Sequence, residues 1–164
     1  MPTRRSVLTP ALAAAALVPL LVCGPAFGQV NTLDGVWSIS ESILSACPTG
    51  NPVRTFPEMI MFMHDGTMIE TAATVGIGAP PLIALGPGLG TWQHVSDRHF
   101  TVHFTFFRNN PTNDTFAGTQ VINKDIELSQ DGDAFTSTGT ADIFDAEGNH
   151  IATRCTMATA TRID

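Results

Sequence analysis

Residues 129–144 read SQDGDAFTSTGTADIF, and this stretch decides the fold. Asp131-Gly132 at its head is a tight-turn dipeptide, because hairpins force positive φ angles that branched side chains resist. In the strand that follows, Phe135, Ser137, Gly139, Ala141 and Ile143 fall on one face. Thr136, Thr138, Thr140 and Asp142 fall on the other, the period of two that marks a half-buried strand. Similar punctuation recurs at Asp65-Gly66, Ser96-Asp97-Arg98 and Asp145-Ala146-Glu147-Gly148-Asn149. Turns at this spacing predict an all-β protein, an antiparallel up-and-down meander that closes into a barrel or sandwich.

Working outward, eight strands are expected, over 35–41, 55–64, 67–71, 91–95, 99–107, 116–129, 135–144 and 150–162. Trp37, Ile39 and Glu41 share one face of the first. Met59-Ile60-Met61-Phe62-Met63 is apolar on both faces, which suggests burial on both sides or a partner. Phe100, Val102, Phe104 and Phe106 share the inward face of theirs, and Ile151, Thr153, Cys155 and Met157 are read as inward on the last. Val121 and Ile122 change phase within their strand, which predicts a bulge there. Residues 72–90 break the rhythm as one uncharged loop, of a length that is usually functional or disordered. Small inward residues facing large phenylalanines either interlock or leave a cavity.

Residues 1–28 read as a cleaved export signal: Arg4 and Arg5, an apolar core from 8 to 22, then Ala26-Phe27-Gly28. Pro10 and Pro19 interrupt the apolar run, so no transmembrane anchor is expected. The paired arginines leave general and twin-arginine export both open, and Cys23 leaves lipidation open. Residues 29–164 then form a single domain destined for the periplasm or the exterior. It holds six basic and fifteen acidic residues, a balance that repels phosphate backbones and excludes nucleic acid as a partner. Cys47 and Cys155 are an even pair in an exported domain, most simply a disulfide, with a reactive or metal-binding thiol pair as the alternative.

Two G-x-W elements, Gly35-Val36-Trp37 and Gly90-Thr91-Trp92, open strands. In this the chain resembles the lipocalin-like, or calycin, barrels. The resemblance implies that Trp37 closes the barrel base and that an arginine of the last strand packs across it, Arg162 in the first place or Arg154 in the second. The pieces Asp131-Gly132-Asp133-Ala134-Phe135, Gly139-Thr140-Ala141 and Thr161-Arg162-Ile163 look closer still to small exported bacterial lipocalin-like proteins with no assigned activity.

Chemical motifs are sparse. No nucleophile elbow, zinc-binding helix motif, phosphate loop or dinucleotide fingerprint occurs, so no catalytic residue, metal or cofactor is expected. His99 and His103 share a strand face but lie about 13 Å apart along an extended chain. Only a convergence of His94 and His99 with Glu70 or Asp142 would make a site. The expected function is therefore binding of a small apolar ligand, lined by Phe62, Phe100, Phe104, Phe106, Met157, Leu82 and Leu85. The alternatives are an interaction module, including a homodimer, that uses the apolar loop and double-faced strand, and a cofactor-free isomerase or cyclase. The last needs an inward acid or base, which the facing assignment does not supply.

Overall fold

A computed structural model describes residues 31–73 and 83–163. Its strands are β1 (Gly35–Leu44), β2 (Pro52–Phe62), β3 (Thr67–Ala72), β4 (Ala84–Leu85), β5 (Gly88–Ser96), β6 (His99–Asn110), β7 (Thr115–Leu128), β8 (Ala134–Phe144) and β9 (His150–Ile163). No helix occurs among the described residues. Each strand pairs antiparallel with its neighbours, and β1 returns to β9 from Val36↔Ile163 to Ile43↔Thr156, which closes the ring. β4 and β5 both pair with β6, Leu85 opposite Arg108 and Leu89 opposite Thr105. They are one barrel stave broken at Gly86-Pro87, where proline has no N–H to give the ladder. The result is an eight-stave meander closed as a barrel.

The turns form where the sequence places them. Gly66, Gly132 and Gly148 take φ of 84°, 77° and 88°. The Gly132 N–H donates to the Ser129 carbonyl at 3.1 Å.

One end of the barrel is plugged with aromatics. Trp37 packs 4.8 Å from Phe135 between ring centres, and Phe62, Trp92 and Phe100 continue the cluster. The Arg162 guanidinium lies 4.3 Å over the Trp37 ring and donates to the backbone carbonyls of Thr32, Asp34 and Gly132. A cation on an indole face contributes about 0.5 to 2 kcal/mol, and the carbonyls fix its planar fork.

The same contact sets the phase of β9 and corrects the sequence reading of that strand. With Arg162 turned in, Thr156, Ala158 and Ala160 share its face and are buried, whereas Met157 is 41% exposed on the outer wall. Cys155 is buried from the outside, because it is bonded to Cys47 with Cα atoms 5.2 Å apart. The inward face of β9 is therefore one residue out of phase with the expected Ile151, Thr153, Cys155 and Met157.

Three other expectations change. Ala84–Leu85 and Gly88–Ser96 are strand, which removes that part of the 72–90 loop. Residues 74–82, Leu82 among them, lie outside the described residues, as do the expected export signal and Cys23. The β7 irregularity falls where Arg108↔Gly118 steps to Asn109↔Phe116, not at Val121-Ile122. Finally, Ile60 and Phe62 point inward while Met59 and Met61 are 48% and 46% exposed, so the double-faced strand has one face in the core and one outside.

Candidate ligand cavity

The end opposite the aromatic plug holds an open cavity of about 570 Å³. The register accounts for its position. The C-terminal halves of β1, β6 and β8 and the N-terminal halves of β2, β7 and β9 meet there, beyond the large rings. Phe104, Phe106, Ile122, Leu85 and Ile83 form apolar walls. Ala141 on β8 is small and inward, so this wall leaves room where a larger side chain would interlock.

Three arginines also line the cavity: Arg54 from β2, Arg108 from β6 and Arg154 from β9. Burial holds the Arg108 guanidinium below its ordinary pKa, and its Nη1 donates to the Phe144 carbonyl at 3.3 Å.

Deeper in the barrel sits a cluster of charge. Glu41 from β1, Glu58 from β2, Glu70 from β3 and Lys124 from β7 are all buried. Glu41, Glu58 and Lys124 line the cavity. Lys124 Nζ donates to Glu41 Oε2 at 2.6 Å, stands 3.6 Å from Glu58 Oε2 and lies 5.9 Å over the Phe104 ring. Burial pushes the Lys124 pKa down; the facing Glu41, Glu58 and Glu70 outweigh it and raise it. Burial pushes Glu58 up to about 7, with Glu41 adding to the rise and Lys124 opposing it. Burial and then repulsion from Glu58 push Glu70 up to about 9. Neither Glu70 oxygen nor Glu58 Oε2 meets a hydrogen-bond partner among the described residues. A hydrophobic core gains nothing from such groups, since desolvating each costs several kcal/mol. Strongly shifted groups beside a cavity make this floor a candidate functional site.

Of the residues expected to line a pocket, Phe104, Phe106 and Leu85 do so. Phe62 and Phe100 belong to the plug, and Met157 is on the outer wall. None of the histidines lines this cavity. His103 bonds Asn123 at 2.8 Å, His99 meets Asp125 at 3.4 Å, and His94 bonds the Asp97 carbonyl at 2.7 Å, while Glu70 lies inside. Among the described residues no three His, Cys, Asp or Glu side chains are grouped to hold a metal ion.

The sequence places Glu41 on the face of Trp37 and Ile39 and offers Glu70 only beside histidines; the inward facing of Glu58 and Lys124 was not anticipated. The available signal was parity: Glu58 with Ile60 and Phe62, Glu70 with Met68, Lys124 with Ile122 and Ile126.

Fold and site together define a class, an eight-stave antiparallel β-barrel compatible with a calycin-like barrel, plugged at one end and hollow at the other. No protein-family model matches the chain, and no curated protein matches it.

Proposed function

We propose that the barrel binds a small amphipathic molecule, with an aliphatic body against the apolar walls and an acidic group at the arginines. The observation that carries this is the single-ended cavity of about 570 Å³ whose aliphatic and aromatic lining is joined by Arg54, Arg108 and Arg154. Eight-stave barrels have interiors suited to one small ligand, and cavities of about 300 to 1,000 Å³ hold such molecules. Guanidinium groups recognise carboxylates with planar, paired hydrogen bonds. The arginines sharpen the expected ligand from apolar to amphipathic. The Cys47–Cys155 disulfide supports an oxidising, exported setting.

Displacement of a fluorescent fatty-acid probe tests this. Dodecanoate is expected to compete at least tenfold better than dodecanol, and Arg108→Gln to remove most of that difference. Equal competition by acid and alcohol, or an absence of binding, sinks the reading. A second reading, self-association, is favoured by the outer row of Met61, Ile69 and Leu89, which are paired across β2, β3 and β5 and 43% to 61% exposed. Light scattering that shows a strict monomer removes it.

A further inference from the structure

Holding an apolar chain and an acidic head leaves the charge at the cavity floor unexplained. Lys124 already has a partner in Glu41 at 2.6 Å. Glu58 is a second carboxyl on the same ammonium, at 3.6 Å, and its Oε2 lacks a hydrogen bond among the described residues. Both Glu58 and Lys124 line the cavity, so a bound molecule reaches both. We infer that Glu58 and Lys124 act as an acid–base pair that removes and returns a proton at the carbon beside a carbonyl of the bound molecule. This rests on the binding reading above.

The geometry suits that step. Bond lengths put a carbonyl oxygen and its neighbouring α-carbon about 2.4 Å apart. A carbonyl on the Lys124 ammonium therefore brings its α C–H against the Glu58 carboxylate. An ammonium has three N–H donors, and the bond to Glu41 leaves others for substrate.

The step balances without a cofactor. Glu58 takes the α-proton, the C–H electron pair forms a carbon–carbon double bond, and the carbonyl π pair moves to oxygen, where Lys124 stabilises it. Return of the proton from Glu58 to the α-carbon restores the starting ketone. Return to the γ-carbon of a β,γ-unsaturated ketone moves the double bond. Glu58 ends as it began. The substrate class is an oxo carboxylic acid with an aliphatic chain.

The surrounding charges support the assignment. The charged groups acting on the pair are Glu41 from β1 and Glu70 from β3, while Arg54 from β2, Arg108 from β6 and Arg154 from β9 line the same cavity. Glu58 titrates at about 7, which makes it a usable base near neutrality. Glu70, at about 9, keeps its proton there and adds no further negative charge to Glu41 and Glu58. Phe104 and Phe106 wall the floor with apolar surface, which strengthens its electrostatics.

The test is hydrogen–deuterium exchange on probe molecules. The protein is incubated in D2O with 4-oxo-, 6-oxo- and 8-oxododecanoic acid, and deuterium beside the carbonyl is followed by NMR while binding is titrated separately. At least one probe is expected to exchange about a hundredfold faster than in buffer, the lower end of acid–base catalysis. The rate is expected to rise through pH 7. Glu58→Gln should lose most of the acceleration while holding the probe within threefold of the native affinity. Glu58→Asp should restore part of it, and it also serves if the Gln variant does not fold. A purely structural cluster predicts native exchange rates in both variants, and that result overturns the inference. So does a bound probe that exchanges no faster than in buffer. If none of the probes binds, the binding reading fails first and takes the inference with it.

Discussion

Glu70 is wholly buried, and neither of its oxygens meets a hydrogen-bond partner among the described residues. A carboxyl so placed holds its proton, and its pKa rises from 4.5 to about 9 through burial and the nearness of Glu58. Between those two values the folded chain binds a proton that the unfolded chain has released. Stability therefore falls as pH rises from about 4.5 to about 9, and Glu58 adds to the fall up to about 7. Gln at position 70 has the same shape and no ionisation. Glu70→Gln is accordingly expected to stabilise the protein at pH 8 by an amount on the order of a few kcal/mol, and hardly at all at pH 4. Urea melts at the two pH values check this; an equal effect at both would falsify the assigned proton. Lys124, also raised, follows the same sign. Its contribution is whole below the ordinary lysine value and is lost as pH rises from there through the folded value.

At the scale of a strand, Gly90 shows how closely β5 approaches β6. A Cβ there would lie 2.0 Å from the His103 carbonyl oxygen and 2.4 Å from Phe104 Cβ. Phe104 is both the register partner of Gly90 and a wall of the cavity. Gly90→Val is therefore expected to prise the two strands apart, cost about 1–3 kcal/mol or more, and weaken binding in the cavity along with stability. Thermal melts with a parallel probe titration would show both losses; a variant of native stability would contradict the close approach. The G-x-W pattern around this glycine was visible in the sequence, as were the hairpin turns, the eight staves, the Cys47–Cys155 pair and the meeting of Trp37 with Arg162. The turns and staves are local matters of turn chemistry and alternation, the cysteine pair follows from its even count, and the Trp37–Arg162 meeting follows from the calycin resemblance. The interior of β7 was not visible in the same way. Lys124 stands between Ile122 and Ile126 on the buried face, but a lysine is normally assigned to solvent. Its place depends on carboxyls from β1 and β2, distant in the chain. The outward facing of Met157 was hidden for a related reason, since a disulfide on the outer wall buries Cys155 without turning it into the core.

Across the whole molecule the barrel is asymmetric, and its closing seam shows why the two ends behave differently. At the plugged end the β1–β9 ladder begins beside Trp37 and Arg162, where four hydrogen bonds to three carbonyls and a stacked ring lock it. At the hollow end that ladder stops at Ile43↔Thr156. The Cys47–Cys155 bond comes immediately after, one residue beyond Thr156 on β9 and four beyond Ile43 on the other side. The disulfide thus clamps the seam where hydrogen bonding gives out, next to Arg154 and Thr156 of the cavity wall. It also closes a loop of 108 residues, for which chain entropy allows up to about 4–5 kcal/mol of stabilisation. The double variant Cys47→Ser, Cys155→Ser is expected to lose about 2–4 kcal/mol. Its amides in 42–47 and 150–156 should exchange faster, while those around Trp37 and Phe135 stay protected in proportion to global stability. Binding should weaken along with the seam, because the cavity wall loses its clamp while the plug keeps its own. Hydrogen exchange read by mass spectrometry separates the outcomes. Uniform acceleration over the whole chain would mean that the bond acts only on the unfolded state, and faster exchange confined to the hollow end means that it holds the mouth of the barrel in shape.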